Sequence, residues 1–171
     1  MESKIKAIEI ALKNEMRERD FYLKQSEKSG DPLGKKMFAT MAEEEEEHAR
    51  YLKELHDKLQ EKGTWPGDIS AVINETNVGK VLDELIDKVN PSNTATADDK
   101  EAIKIAIEFE NEAYKFYRDL IKQADSADEK KIFTILADLE LEHMNSLKET
   151  LLYFESPADW FAQYEKPTLD G

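Results

Sequence analysis

Two four-residue segments, Glu45-Glu46-Glu47-His48 and Glu140-Leu141-Glu142-His143, carry the same Glu-x-x-His pair. A single glutamate precedes each pair at the same distance along the chain, Glu15 before the first and Glu110 before the second. Residues three apart lie on one face of an α-helix, so the glutamate and histidine of each pair can bind one metal side by side. Four carboxylates and two imidazoles in this pattern predict a paired-metal site, whose ligands are Glu15, Glu45, His48, Glu110, Glu140 and His143.

The repeat extends beyond these ligands. Residues 7–55 align with residues 102–150 without a gap, and identical residues recur along the whole alignment. This indicates two homologous helical hairpins related by a pseudo-two-fold axis. A site on that axis receives the same ligands from each half.

Glycine and proline are sparse and clustered, and the apolar residues between the clusters recur at helical spacing. N-terminal capping signals occur at Asp31-Pro32, at Thr96 with Asp99, and at Ser126. The fold predicted is all-α, a four-helix bundle of two antiparallel hairpins joined by a long crossover. The predicted helices cover roughly 3–29, 32–62, 97–124 and 127–155, with a short helix around Val78–Val89 in the crossover of about 63–96.

The composition of the chain excludes or disfavours several classes of function. The chain of 171 residues is 36% charged, with a net charge of −14, which disfavours a nucleic-acid partner or an anionic membrane surface. It contains no cysteine, which excludes disulfides, thiolate chemistry and cysteine-ligated iron–sulfur centres. No stretch approaches the length of a transmembrane helix, and the first residues lack the apolar region of a signal peptide. We therefore expect a soluble, cytoplasmic protein.

The predicted ligands interrupt apolar rows at core-facing positions, where unpaired carboxylates would cost several kcal/mol each, on the order of the penalty for burying an ion. Two divalent metal ions balance four carboxylates while the histidines stay neutral. Oxygen and imidazole ligands without sulfur suit iron or manganese and disfavour a structural zinc site. Two iron(II) ions with open coordination positions can bind and reduce O2 or peroxide.

The acidic run of residues 43–47 has a simpler interpretation, since such runs usually lie on a solvated face. Five consecutive residues wrap around a helix, however, so at least one points inward, and the apolar stripe selects Glu45. The other four are predicted to lie at the surface: Glu43, Glu44, Glu46 and Glu47. His56 has no counterpart in the repeat and is predicted to be an ordinary surface residue.

Three further residues have two interpretations each. Tyr22 and Tyr117 follow Glu15 and Glu110 on the same helix faces, and they either hydrogen-bond the ligands and supply protons or electrons, or are core aromatics. Glu18 breaks the repeat, because its counterpart is an alanine. It is either a seventh ligand, a carboxylate that moves on and off one metal, or a surface glutamate near an arginine.

These residues resemble the rubrerythrin branch of the ferritin-like superfamily over about residues 3–155. The resemblance rests on the Glu-x-x-x-x-x-Phe-Tyr helices (residues 15–22 and 110–117), on Glu-Glu-His-Ala at 46–49 and on the tail from Trp160-Phe161 onward. It implies a di-iron site formed by the six ligands named above. It also implies one domain at 1–155 and a tail at 156–171 that packs on the bundle or on a partner subunit.

Two departures from the family pattern bear on activity. Full-length rubrerythrins carry a four-cysteine rubredoxin domain, so a cysteine-free chain needs a separate electron donor such as rubredoxin. Rubrerythrins also carry an extra glutamate where this chain has Ala113, and Glu18 is the candidate replacement.

The resemblance therefore implies a homodimeric di-iron oxidoreductase in oxidative-stress defence, which reduces hydrogen peroxide or oxidises iron(II) with O2 or peroxide. The alternatives are a non-catalytic iron-binding or storage protein and a bundle without metal that serves as an interaction module. The intact ligand set disfavours the interaction module.

Overall fold

A computed structural model describes residues 2–66, 76–86 and 95–164, and the regular elements in these ranges are all α-helices. The long helices begin and end within one residue of the predicted positions, which confirms the all-α prediction. The short crossover helix is found as well, although residues 87–89 of that prediction lie outside the described ranges. The elements are α1 Glu2–Lys28, α2 Pro32–Lys62, α3 Val78–Ile86, α4 Ala97–Gln123, α5 Ala127–Glu155 and α6 Pro157–Tyr164.

Capping residues define the ends of α2. The Asp31 side chain accepts hydrogen bonds from the backbone N–H groups of Leu33 (2.9 Å) and Gly34 (3.0 Å), and proline occupies the first turn. At the other end Gly63 adopts a left-handed conformation with φ 65°, which glycine reaches without a steric penalty.

The second hairpin begins with a capping box, as predicted. Thr96 accepts from the Asp99 backbone N–H at 3.1 Å, and the Asp99 carboxylate accepts from the Thr96 N–H at 3.0 Å. The Ser29 hydroxyl donates to Asp99 at 2.7 Å, so the end of α1 is tied to the start of α4. Ser126 caps α5 by accepting from the Glu129 N–H at 3.2 Å.

The helices pair as two hairpins, α1 with α2 and α4 with α5, while α3 contacts both α2 and α5. Two apolar clusters fill the bundle, and the repeat relates one to the other. Tyr22 stacks on Phe38 in one cluster, with ring centroids 6.1 Å apart, and their repeat mates Tyr117 and Phe133 stack at 6.4 Å in the other.

Helix α6, which was not predicted, packs on α5. Trp160 is buried in the same apolar cluster as Tyr153, with ring centroids 5.8 Å apart, and its indole N–H donates to Glu149 at 3.2 Å. Pro157 occupies the first helical position, where a missing N–H costs nothing. Among the described helices, none is both long and apolar enough to cross a membrane.

Candidate metal centre

All six predicted ligands are buried at the level where the two hairpins face each other. The helix periodicity explains the arrangement, because each Glu-x-x-His pair projects from one face of α2 or α5, and single glutamates project from α1 and α4. Their exposed fractions are Glu15 1%, Glu45 0%, His48 3%, Glu110 0%, Glu140 0% and His143 0%.

One group of contacts surrounds His48. Its Nδ1 atom lies 3.2 Å from Glu45 Oε2, 3.3 Å from Glu15 Oε2 and 3.8 Å from Glu140 Oε1. These carboxylates come from three helices and from both hairpins. The imidazole therefore faces a carboxylate pocket that neither hairpin forms alone.

The second group surrounds His143 in the same way. Its Nδ1 atom lies 3.0 Å from Glu45 Oε1, 3.4 Å from Glu110 Oε2 and 4.0 Å from Glu140 Oε2. The rings of the two histidines are nearly parallel, with an interplanar angle of 14° and centroids 5.5 Å apart. The two groups are thus adjacent halves of one centre.

Two overlapping sets of ligand atoms result. Glu15, Glu45, His48 and Glu140 can hold one ion, and Glu45, Glu110, Glu140 and His143 can hold a second, with the ligand atoms of each set within 4.8 Å of one another. Glu45 and Glu140 belong to both sets, while each remaining ligand belongs to one. This geometry favours Glu45 and Glu140 as shared carboxylates, and Glu15 and Glu110 as terminal ones.

The donor atoms of this centre suit a metal. Several of them are buried without a hydrogen-bond partner, which is costly in a low-dielectric interior. His143 Nδ1 and Glu45 Oε1 are only 3.0 Å apart, yet neither makes a hydrogen bond. Such donors, directed at a common space, fit two hard or borderline cations. The unpartnered atoms of the six residues are Glu45 Oε1, Glu110 Oε2, Glu140 Oε1, Glu140 Oε2 and His143 Nδ1.

Burial and the neighbouring charges shift the pKa values of the side chains in the centre. Burial and the charges of Glu15, Glu45 and Glu110 hold the pKa of Glu140 well above its ordinary value. Burial, with the charge of Glu45, raises the pKa of Glu15 to about 8. Burial alone would lower the pKa of His48, but the carboxylates of Glu45 and Glu15 outweigh it and raise that pKa to about 10. Without metal, the centre therefore retains protons that metal ions would displace.

These shifts predict how the stability of the metal-free protein depends on pH. Folded Glu15 keeps its proton up to about pH 8 and folded His48 up to about pH 10, whereas the unfolded chain loses them near 4.5 and 6.5. The folded state therefore binds more protons between pH 6.5 and 8, and the free energy of unfolding must fall as pH rises through that window. Urea unfolding of chelator-treated protein measures the slope, and Glu15→Gln should make it shallower. Stability that is constant or rises over this range would contradict the assignment.

The two tyrosines each contact a ligand from the opposite hairpin. The Tyr22 hydroxyl donates to Glu110 Oε1, and the Tyr117 hydroxyl donates to Glu15 Oε1. Burial and the charge of the accepting glutamate hold both phenol pKa values well above the ordinary value, so both remain protonated donors. Each terminal glutamate thus has one oxygen bound to tyrosine and its Oε2 atom facing a histidine.

Glu44 was predicted to lie at the surface, and that prediction is wrong. Its side chain is only 12% exposed, and its Oε2 atom lies 2.8 Å from His143 Nε2. It also accepts hydrogen bonds from the Thr76 hydroxyl and from the Asn77 N–H just before α3. The hydrogen bond and the charge of His143, together with these two hydrogen bonds, outweigh burial and hold the pKa of Glu44 below its ordinary value. The repeat could have predicted that Glu44 points inward, because the counterpart of Glu44 is the buried Leu139.

A carboxylate on the distal nitrogen of a metal-binding histidine fixes the ring and its tautomer, and its loss typically costs about 10–100-fold in metal affinity. We expect Glu44→Leu, which reproduces the residue at position 139, to weaken one of the two metal sites by about that factor and to leave the other nearly unchanged. Calorimetric titration with manganese(II) resolves the two sites, and Glu44→Gln should restore part of the loss. The control is Glu43→Leu on the exposed face of α2. Equal losses of manganese(II) affinity in Glu44→Leu and Glu43→Leu would contradict a specific role for Glu44.

Glu18 is also buried, at 7% exposed, so the surface interpretation is wrong. Its Oε2 atom has no hydrogen-bond partner. Burial, with the charges of Glu110 and Glu15, holds its pKa well above the ordinary value. It belongs to neither four-residue ligand set. His56 lies at the periphery, where it contacts Glu9 and Asp57, each at 3.3 Å.

Two homologous hairpins around a buried carboxylate–histidine centre define the ferritin-like class of di-metal proteins. The model of the rubrerythrin family matches residues 6–151, nearly the whole described bundle. The chain belongs to the rubrerythrin family, which confirms the resemblance found in its motifs. Searches of curated proteins and of solved structures returned no significant match.

Proposed function

We propose that this chain is a di-iron carboxylate oxidoreductase that reduces hydrogen peroxide. The observation that carries the proposal is the sharing of Glu45 and Glu140 by two four-residue ligand sets, which supports two adjacent ions. A pair of iron(II) ions bound there supplies two electrons, the number needed to reduce hydrogen peroxide to two water molecules. Membership of the rubrerythrin family supports the same metal and the same class of reaction.

Residues that hydrogen-bond the ligands hold them in a fixed orientation. Tyr22 and Tyr117 donate to Glu110 and Glu15, so each carboxylate has one oxygen fixed before a metal arrives. Glu44 positions the His143 ring from its far side. Preorganised ligands need less rearrangement when the charge of the metals changes during turnover.

Glu18 is proposed to contribute a proton and, in one redox state, a seventh ligand to the centre. Burial raises the pKa of Glu18 well above its ordinary value, which favours the protonated acid, and reduction of hydrogen peroxide to water consumes two protons. Among the charges that raise its pKa, the largest contributions come from Glu110 and Glu15, which are ligands from both ion sets, and Glu18 lies one helical turn after Glu15 on α1. Both observations support a position from which it can reach the centre.

Turnover needs electrons from elsewhere, because the 171 residues contain no cysteine and hence no cysteine-ligated iron centre. We propose a separate donor such as rubredoxin, a cytoplasmic location and a role in oxidative-stress defence. Light scattering tests the proposed homodimer.

The test is anaerobic stopped-flow mixing of the iron(II)-loaded protein with hydrogen peroxide. We expect two iron(II) ions to be oxidised per peroxide, with slower oxidation by O2. Oxidation only by O2 would indicate a ferroxidase, and iron uptake far beyond the ligand sets would indicate storage. Either outcome would contradict the proposal. The matched control, Glu45→Ala with Glu140→Ala, removes both shared carboxylates and should show neither reaction.

A further inference from the structure

A cavity of about 560 Å³ lies between α1 and α4. Its lining includes four pairs of repeat mates, so it straddles the pseudo-two-fold axis: Asn14 with Phe109, Arg17 with Glu112, Glu18 with Ala113, and Phe21 with Phe116. Glu18 lies one turn after the ligand Glu15 on α1, and Ala113 lies one turn after the ligand Glu110 on α4, so the buried end of the cavity adjoins the metal centre. The cavity is therefore positioned to bring a ligand to the centre.

Both sides of the cavity carry polar and aromatic residues. Beside Glu18, the α1 side carries Asn14, Arg17, Asp20 and Phe21, and the α4 side carries Phe109, Glu112 and Phe116. Phe21 and Phe109 meet edge to face across the cavity, with ring centroids 5.0 Å apart, and Phe116 adds a third ring. An aromatic cluster beside polar groups suits a ligand with a polar end and an apolar body.

Glu18 provides the specific polar contact. It is 93% buried, it lines the cavity, and its Oε2 atom is buried without a hydrogen-bond partner. A buried acceptor left unpaired costs about 1–3 kcal/mol, so a ligand that donates a hydrogen there is favoured. Ala113, the repeat mate of Glu18, has a small side chain and leaves room for the ligand body.

The volume indicates the size of the ligand. A water molecule occupies about 30 Å³ of liquid, and hydrogen peroxide is only slightly larger, so it would leave most of the cavity unused. A molecule with one aromatic ring or a branched alkyl group fits the space and can pack on the phenyl rings.

We propose that this cavity binds a small organic hydroperoxide, its aromatic or branched-alkyl body against Phe21, Phe109 and Phe116 and its terminal O–H donated to Glu18. The inference rests on the proposed function and names a substrate class for it. In the reaction the O–O bond of the hydroperoxide breaks. Two electrons from two iron(II) ions and two protons convert ROOH to ROH and one water, leaving two iron(III) ions.

The first test is binding without turnover. Cumyl alcohol keeps the body and the hydroxyl of cumene hydroperoxide but has no O–O bond. Calorimetric titration into the full-length protein as purified should show saturable binding. Ala113→Leu, which fills the cavity, should weaken it by about 10-fold or more, the usual effect of a few methyl groups in a pocket. The control is Ala97→Leu at an exposed position of α4, which should bind like the unmodified protein.

Nuclear Overhauser effects between the methyl groups of cumyl alcohol and the phenylalanine rings test binding in the cavity of the unmodified protein. This measurement does not depend on the folding of the Ala113→Leu variant. No saturable binding, or equal binding by Ala113→Leu, would overturn the proposal. Saturable binding without turnover of any peroxide would support the cavity and contradict the proposed function.

The second test compares two peroxides. Ala113→Leu should lower kcat/KM for cumene hydroperoxide by about 10-fold and for hydrogen peroxide by much less, because only the larger substrate needs the filled space. Equal losses of kcat/KM for both substrates would contradict the proposal that the cavity binds the organic hydroperoxide.

Discussion

Replacing either shared carboxylate, in Glu45→Ala or Glu140→Ala, is expected to remove both metal ions. Each of these residues supplies an oxygen to both four-residue ligand sets. Replacing a terminal carboxylate, in Glu15→Ala or Glu110→Ala, should weaken only one set and leave about one ion per chain where the intact centre holds about two. Metal analysis after anaerobic loading with iron(II) and gel filtration measures the difference.

Glu43→Ala is the matched control, because Glu43 is an exposed glutamate two residues before Glu45 on α2. It should retain the full metal content. Circular dichroism must show that each variant remains helical, so that lost metal is not the result of a lost fold. Equal metal loss in all four ligand variants would contradict the division into shared and terminal carboxylates.

Loading the centre with metal is expected to raise the thermal midpoint of unfolding by roughly 10–20 °C. A ligand that binds only the folded state at 100 times its Kd stabilises it by about 2.7 kcal/mol per site, and two sites add. For a chain of this length each kcal/mol moves the midpoint by about 2–4 °C. Differential scanning calorimetry with and without manganese(II) measures the shift.

The control for this effect is the double variant Glu45→Ala with Glu140→Ala. Its midpoint should be insensitive to added metal, because both shared ligands are gone. An equal shift in the double variant would mean that the stabilisation arises from the acidic surface of the chain, whose net charge is −14, and not from the buried centre.

The bundle and its six candidate ligands follow from patterns that are local in the sequence. Apolar residues at helical spacing define the helix faces, and Glu45 with His48 interrupts such a face at a spacing that places both side chains inward. The internal repeat then supplies a second copy at Glu140 and His143. Caps such as Asp31 define helix ends within a residue, because they act on backbone groups only two or three positions away.

The remaining features depend on distances between helices, which the repeat does not encode. Whether Glu45 and Glu140 can contribute to both ligand sets depends on how closely the two hairpins approach each other. Glu44 reaches His143 across the bundle and is held by the Asn77 N–H of the crossover, a segment without a counterpart in the repeat. Glu18 is buried because α1 faces α4 at that level, where charge patterns along α1 alone suggested a solvent-facing side chain.

We infer that one centre on the pseudo-two-fold axis holds two metal ions. Anomalous diffraction at the iron edge, from crystals of iron(II)-loaded protein, tests it most directly. We expect two iron peaks between the His48 and His143 rings, both ligated by Glu45 and Glu140, with Glu15 on one ion and Glu110 on the other. No iron peak at this level of the bundle, or iron only on the surface glutamates, would contradict it.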